Sequence, residues 1–320
     1  MRSSLRAFLV LLAAFVVAAV LSGISMTQGK RHIAVTFDDL IFVPDNDVRM
    51  AAEWTRKLTS TLRQNHVLVT AFVNEKKLTP VSQQQERKNV LKIWLDAGFD
   101  LGNHTYSHVD MFSSTPEVFE RELVTGEVVT RKLMASKGKV EKFFRHPFLN
   151  TGPTLEVKAE YDRILAAHNY TVAPVTVDNS DYMFAKVYTE AIQKKDAALQ
   201  KRVSDAYIPY MDAVLGFYEK QSMALFGREI NQILLVHANP LNAEHFGEMI
   251  AMMKKRGYDF ISLDQALKDP AYKSKDEFVG RSGTSWIQRW AITQKHKPTM
   301  QLFKDEPAVP DFIVEAYNRK

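Results

Sequence analysis

Short apolar runs alternate along most of this chain with stretches in which apolar residues recur at helical spacing. The apolar runs predict buried strands over residues 33–37, 67–73, 143–145, 170–177, 233–237 and 259–263. The helical spacing predicts helices over residues 48–64, 86–97, 117–136, 155–168 and 243–256. Such alternation is typical of parallel strands covered by helices, in a barrel or in a doubly wound sheet.

Residues 188–228 interrupt this alternation, because they contain no convincing strand. Helix-forming stretches at 191–203 and 206–220 predict a helical insertion over the barrel, before the strand at 233–237. We therefore expect one principal domain over residues 30–268, with the insertion included. The tail over residues 269–320 contains many Lys, Pro and Gly residues and is expected to pack on the barrel as an extension.

The N-terminus has the pattern of an export signal. Arg2 and Arg6 precede an unbroken apolar stretch at 7–21, and small residues follow at 22–25. This order predicts a signal peptide over residues 1–25 that is removed after export. An uncleaved membrane anchor is the alternative, because the segment approaches the roughly 20 residues that span a bilayer. Both readings place the folded body outside the cytoplasm, in the periplasm or the extracellular space.

Composition narrows the possible chemistry more than it narrows the fold. The chain has 320 residues, 46% of them apolar and 25% charged, as in an ordinary globular protein. It contains no Cys, so a transition-metal site must consist of imidazole and carboxylate groups. Its formal charge of +5 is too small and too evenly spread to indicate nucleic-acid binding.

Polar residues follow the ends of several predicted strands, where parallel strands bring their carboxyl ends to one rim. Two histidines and one carboxylate leave a metal coordination position open, which indicates catalysis more than structural binding, while a second carboxylate can stay free as a base. An Asp-Asp pair alone is more often a helix or turn cap. The Asp-Asp pair occurs together with the other strand-end polar groups, and this combination favours a catalytic metal site. These groups are Asp38, Asp39, His104, His108, Arg145, Asp178, Asp181 and His237.

Five short motifs, in this order, resemble those of the polysaccharide deacetylase family, the chitin and peptidoglycan deacetylase-like esterases. They span roughly residues 31 to 265. The resemblance implies a distorted (β/α) barrel with fewer than eight strands, and removal of acetyl groups from N-acetylated sugars of an exported or envelope glycan. The motifs are Thr36-Phe37-Asp38-Asp39, His104-Thr105-Tyr106-Ser107-His108, Arg145-His146-Pro147-Phe148, Asp178-Asn179-Ser180-Asp181-Tyr182 and Leu235-Val236-His237.

The resemblance also implies a role for individual residues. One divalent metal ion, usually zinc with Co²⁺ or Ni²⁺ as alternatives, would be bound by Asp39, His104 and His108. Asp38 would be the general base and His237 the general acid. Arg145 would hold the base and Asp181 would orient the acid. Leu235 would line the pocket for the acetyl methyl group, the backbone N–H of Phe148 would bind the oxyanion, and Tyr182 would contact the sugar.

The chain also departs from the family pattern. Leu40-Ile41 follows the first motif where many relatives have Gly-Pro, and Tyr182 stands where Trp is usual. Neither change removes a chemical group, although both alter the shape of the expected groove. Asp178 is expected only to cap a turn. Two alternatives stay open, namely a non-catalytic glycan- or metal-binding protein on the same fold and a hydrolase of another small amide or ester.

Overall fold

The structure, a computed structural model, describes residues 30–42, 47–281, 283–295 and 304–319. The chain divides into residues 1–30 and a second unit, residues 31–320, and the fold below is that of the second unit. The expected signal or anchor segment at 1–25 lies outside the described residues. Among the residues that are described, no helix is both long enough and apolar enough to cross a membrane.

Seven parallel strands of the described chain form one sheet in the order β5-β4-β3-β2-β1-β6, with β7 also paired to β1. The number of strands agrees with the prediction of a distorted barrel with fewer than eight. The strands are β1 (Arg31–Leu40), β2 (Val69–Val73), β3 (Asp100–Asn103), β4 (Phe143–Phe144), β5 (Thr171–Val172), β6 (Gln232–His237) and β7 (Tyr258–Phe260).

The segment that contains β5 connects the two edges of this curved sheet. Its first part pairs with β4, and Ala173 N donates to Phe144 O over 2.8 Å. Its last part reaches the other edge, where Val177 bridges Leu234 of β6 and Val177 N donates to Ile233 O over 3.0 Å. The single strand predicted at 170–177 is therefore divided between two neighbours, which is how a short barrel can close with few strands.

Helices cover the outside of the sheet and complete its core. Phe37 of β1, for example, packs its ring 5.3 Å from that of Trp94 and 5.2 Å from that of Phe246. The helices within the described residues are α1 (Val48–Gln64), α2 (Gln84–Asp96), α3 (Pro116–Thr125), α4 (Val128–Ala135), α5 (Leu155–Ala167), α6 (Asp181–Gln193), α7 (Ala197–Phe226), α8 (Pro240–Lys255), α9 (Leu263–Ala266), α10 (Trp286–Thr293) and α11 (Asp311–Asn318).

The helical region before β6 differs in its boundaries from the sequence prediction. One helix, α6, begins at Asp181, and a second helix, α7, begins after the N-cap Asp196, whose side chain accepts from Leu199 N over 2.9 Å. Helix α7 continues through Pro209 instead of stopping between 203 and 206. It contacts α6 and α8, so it belongs to the helical layer beside the last strands.

Candidate active site

Side chains from the carboxyl ends of the strands line one cleft of about 660 Å³. Of the residues predicted for the site, Arg145 and Asp181 are buried beneath the cleft wall rather than on its surface. The cleft is lined by the predicted site residues Asp38, Asp39, His104, His108, Phe148, Tyr182, Leu235 and His237, and also by Asp178, which the sequence assigned to a turn.

A potential metal-binding group lies at the base of this cleft. Asp39, His104 and His108 each offer one ligand atom, and these atoms lie within 4.8 Å of one another. His108 Nε2 is 3.6 Å and His104 Nε2 is 3.9 Å from Asp39 Oδ1. Asp39 and His108 have positive φ angles of 65° and 59°, an unusual backbone conformation that is found preferentially at functional sites.

The protonation of the two histidines fits a divalent metal ion. Burial lowers the pKa of both His104 and His108 to about 4, so both imidazoles are neutral near pH 7. His104 Nδ1 lies 2.7 Å from Arg145 O, a carbonyl that can only accept a hydrogen bond. The proton of His104 is therefore on Nδ1, and the Nε2 lone pair faces Asp39. A backbone partner of this kind commonly orients a metal-binding histidine.

Lys77 is a charged neighbour of this group that no motif in the sequence indicated. Its Nζ atom lies 3.3 Å from Asp39 Oδ1 and donates to Asp39 O over 2.6 Å. Burial opposes ionisation of Asp39, but Lys77 and the histidines outweigh that effect and hold its pKa below the ordinary value. Asp39 is therefore an ionised carboxylate, the form that binds a cation.

Asp38 lies beside the metal-binding group and is paired with a buried arginine. Arg145 Nη1 is 3.3 Å from both carboxylate oxygens of Asp38, and its Nη2 donates to Thr36 Oγ1 over 2.9 Å. Burial raises the pKa of Asp38, while Arg145 opposes that rise. A buried carboxylate with a raised pKa and an oriented partner is suited to accept a proton.

His237 is the direct neighbour of Asp38 across the β1–β6 strand pair. Its Nδ1 lies 2.7 Å from Asp181 Oδ1, and its backbone N–H donates to Asp181 Oδ2 over 2.8 Å. Burial would lower the pKa of His237, but the Asp181 carboxylate outweighs it and raises that pKa to about 9. The imidazolium therefore carries a proton on Nε2 that faces the cleft, where Asp39 Oδ2 is 3.9 Å away.

Aromatic side chains stand at the rim of the cleft. Phe148 is 57% exposed and Tyr182 is 47% exposed, and the Phe148 ring lies 4.3 Å from that of His108. The C-terminal segment adds residues that were not predicted for the site. Tyr317 places its ring 5.8 Å from Tyr182, and Glu306 lines the same cleft. The tail after residue 268 therefore forms part of the cleft wall.

Asp178 and its turn carry out the structural task that the sequence predicted, although they lie at the cleft. Asp178 Oδ1 accepts from Asn179 N over 2.8 Å, and burial raises the pKa of Asp178 to about 6. Asn179 Nδ2 donates to Leu235 O over 2.6 Å. The turn thereby joins the start of α6 to β6 and sets the position of Asp181 relative to His237.

Comparison with known proteins gives the same family as the motifs. Residues 25–173 match the model of a family described as polysaccharide deacetylase. A peptidoglycan-N-acetylglucosamine deacetylase of Bacillus cereus is 27% identical over 154 residues, which are 48% of this chain and 47% of that protein. The chain thus matches about half the length of this relative. The matched family region includes Asp39, His104, His108 and Arg145 but ends before Asp181 and His237.

Solved structures are similar to this chain at low sequence identity. The chitin deacetylase of the fungal pathogen Colletotrichum lindemuthianum aligns with a TM-score of 0.52 and 20% identity, over 75% of this chain and 88% of its own. A family 4 carbohydrate esterase pseudoenzyme of Bacillus anthracis aligns with a TM-score of 0.47 and 17% identity, over 75% of this chain and 66% of its own. The first of these similarities confirms the distorted barrel.

Proposed function

Because this chain belongs to the polysaccharide deacetylase family, we propose that it is a metal-dependent hydrolase that removes acetyl groups from an N-acetylated glycan. One observation carries the proposal. The group Asp39–His104–His108 lies in the same cleft as an arginine-paired carboxylate, Asp38, and a carboxylate-paired histidine, His237. Hydrolysis of an unactivated amide needs all three functions, namely activation of water, a base and an acid.

The proposed base is Asp38. A divalent ion held by Asp39, His104 and His108 would lower the pKa of a water molecule and polarise the acetyl carbonyl group. Asp38 accepts a proton from the water as the oxygen of the water bonds to the carbonyl carbon. Arg145 is fully buried and has two contacts to Asp38, so it keeps the carboxylate directed at the cleft. The backbone N–H of Phe148 is proposed to donate to the developing oxyanion.

The proposed acid is His237. The amine is a poor leaving group, so its nitrogen must gain a proton as the C–N bond breaks. His237 Nε2 donates that proton, and the products are acetate and a free amine on the sugar. Asp181 holds Nδ1, which stabilises the imidazolium and fixes the ring orientation.

The substrate contacts are proposed from the rim and the wall of the cleft. Leu235, which is nearly buried, would contact the acetyl methyl group, and Tyr182 and Phe148 would contact the sugar. Aromatic rings present apolar faces that match the C–H faces of pyranose rings. The relative in Bacillus cereus acts, by its name, on N-acetylglucosamine of peptidoglycan. We propose a glycan of the same chemistry, an N-acetylated amino sugar.

We also propose that the protein works outside the cytoplasm on an envelope glycan. The support is the order of Arg2, Arg6 and the apolar stretch at 7–21 in the sequence. Fractionation of cells that express the full chain tests this proposal, and N-terminal sequencing of the exported form shows whether the segment is removed. Recovery of the protein only in the cytoplasm would contradict it.

The experiment that tests the enzymatic proposal measures acetate released from defined glycans by the metal-loaded protein. The panel contains N-acetylated chito-oligosaccharides and peptidoglycan fragments. Asp38→Asn should abolish release, while Asp205→Asn, at an exposed aspartate of α7 paired with Lys201, should leave it unchanged. Metal-loaded protein that releases acetate from no glycan would contradict the proposal. A parallel panel of small amides and esters then separates another hydrolase from a non-catalytic binding protein.

A further inference from the structure

A buried series of hydrogen bonds connects helix α7 with His237, the proposed general acid, and with its partner Asp181. Tyr207 OH donates to Asn242 Oδ1 over 2.9 Å. Asn242 Nδ2 donates to His237 O over 2.7 Å and to Asp181 Oδ2 over 3.2 Å. The side chains of Tyr207, Asn242 and Asp181 are all fully buried. This series of hydrogen bonds runs from a helix outside the sheet to both His237 and Asp181.

The Asn242 amide is placed where its orientation matters. One amide nitrogen serves two oxygen acceptors, the Asp181 carboxylate and the His237 carbonyl group. With the amide reversed, its oxygen would face two other oxygens without a shared proton, which is unfavourable in a buried site. The Tyr207 hydroxyl favours the observed orientation, because it donates to the amide oxygen on the opposite side. Burial raises the pKa of Tyr207 well above its usual value, so the hydroxyl stays a donor.

The same contacts fix the main chain at the end of β6. Asn239 caps α8, accepting from Asn242 N over 2.9 Å, and its Nδ2 donates to His237 O over 2.9 Å. The His237 carbonyl group therefore accepts from two asparagine side chains. Of the two asparagines, only Asn242 also reaches Asp181. Within this series of hydrogen bonds, Asn242 links Tyr207 to the Asp181 carboxylate.

We propose that Tyr207 and Asn242 are positioning residues for the general acid, so that helix α7 holds the His237–Asp181 pair in its working geometry. The inference rests on the proposed function for its kinetic consequences, because it assigns His237 to protonation of the leaving amine. Tyr207 touches no substrate and acts through Asn242. The helices between Asp181 and β6 therefore contribute to proton donation as well as to packing.

The test compares Tyr207→Phe with Tyr161→Phe. Each change removes only a hydroxyl from a fully buried tyrosine, and Tyr161 donates to Met111 O and Ser114 O in a separate cluster. Two substrates are used with the metal-loaded full chain, an N-acetylated chito-oligosaccharide and 4-nitrophenyl acetate. The amine of the first must be protonated to leave, whereas 4-nitrophenolate leaves without a proton. Loss of a residue that positions the acid should lower the rate on the first substrate only.

We expect Tyr207→Phe to lower kcat on the oligosaccharide about ten-fold, with KM and the rate on 4-nitrophenyl acetate within two-fold of the parent. Tyr161→Phe should change neither rate. Asn242→Ala should cause a larger loss, and Tyr207→Phe added to it should cause no further loss. Equal losses on both substrates, or additive effects of the two changes, would overturn the inference.

A second measurement does not depend on turnover. In ¹⁵N-labelled protein, the proton between His237 Nδ1 and Asp181, which are 2.7 Å apart, should give a strongly hydrogen-bonded imidazole resonance. Tyr207→Phe should broaden or shift this resonance, and Tyr161→Phe should leave it unchanged. If the parent protein deacetylates no glycan, the proposed function fails while this resonance still decides the positioning role. An unchanged resonance in Tyr207→Phe would overturn it.

Discussion

Binding of a divalent ion to Asp39, His104 and His108 should stabilise the folded chain, and removal of Asp39 should abolish that stabilisation. Tetrahedral zinc with bonds of about 2.0 to 2.1 Å places its ligand atoms about 3.3 Å apart. The corresponding atoms here are 3.6 and 3.9 Å from Asp39 Oδ1. Contractions of about 0.3 to 0.6 Å, within the reach of side-chain rotation, would complete the site.

The expected size of the effect follows from mass action. An ion present at 100 times its dissociation constant adds about 2.7 kcal/mol to the free energy of unfolding. For a chain of this size, 1 kcal/mol shifts Tm by about 2 °C, so saturating zinc should raise Tm by about 5 °C. A chelator should reverse the shift. Differential scanning fluorimetry, with the metal content of the same samples measured by mass spectrometry, provides the assay.

Adjacent aspartates supply the matched variants for this experiment. Asp39→Ala removes the proposed carboxylate ligand and should lose the zinc-dependent shift. Asp38→Asn keeps all three ligands and should retain both the shift and one bound ion per chain, although it should release no acetate. A full zinc-dependent shift in Asp39→Ala, or its loss in Asp38→Asn, would refute the assignment of the two carboxylates.

Three further changes test the buried ion pair, the pH dependence of stability and the cleft wall. Arg145→Met leaves the Asp38 carboxylate buried and unpaired, so urea unfolding should show a loss of about 3 to 5 kcal/mol. The double variant with Asp38→Asn should regain part of this loss, and an equally unstable double variant would contradict the pairing. Burial raises the pKa of Glu229 from 4.5 to about 7, so between those pH values the unfolded chain ionises this carboxyl while the folded chain keeps it protonated. The free energy of unfolding should therefore fall as pH rises through this window, by about 1 to 2 kcal/mol after allowance for partial exposure, and an unaltered pH profile in Glu229→Gln would count against this reasoning. Tyr317→Ala removes the ring beside Tyr182 and should raise KM for N-acetylated oligosaccharides several-fold with little change in kcat, whereas an unchanged KM would show that this wall does not contact substrate.

The strand-end positions of Asp38, Asp39 and His237 follow from the sequence, whereas the contact of Lys77 with Asp39 does not. Asp38, Asp39 and His237 each end an apolar run, so their placement at the carboxyl ends of parallel strands is a local property of the sequence. Lys77 lies on a short turn after β2, and nothing nearby in the sequence marks its contact with Asp39. Its role depends on the pairing of β1 with β2, which brings distant residues together.

The success of a helix prediction likewise depends on whether nearby residues set the helix boundary. Helix α1 was predicted over residues 48–64 and has those bounds, with the side chain of Asp47 as its N-cap. The start of α6 at Asp181 was not predicted, and the helix-forming stretch predicted at 191–203 runs across the break between α6 and α7. The Ser180 side chain at its N-cap makes no capping hydrogen bond, and the helix start is instead held by Asn179, whose Oδ1 accepts from Asp181 N over 2.9 Å. The residues at this position, Ser180 and Asp181, are nevertheless of types that commonly begin a helix.

The side chain of Asp181, the first residue of α6, interacts with residues outside its own helix. A carboxylate in the first turn of a helix commonly interacts with the free N–H groups there. Both carboxylate oxygens of Asp181 are instead used by His237 and Asn242, which belong to β6 and α8. The Asp181 carboxylate therefore holds the proposed acid His237 instead of the N–H groups of its own helix.

The role of α7 could not be predicted from the sequence. Helix-forming stretches predicted a helical insertion over the barrel, whereas the feature that relates α7 to the acid is one hydroxyl, that of Tyr207, bonded to a residue 35 positions further along the chain.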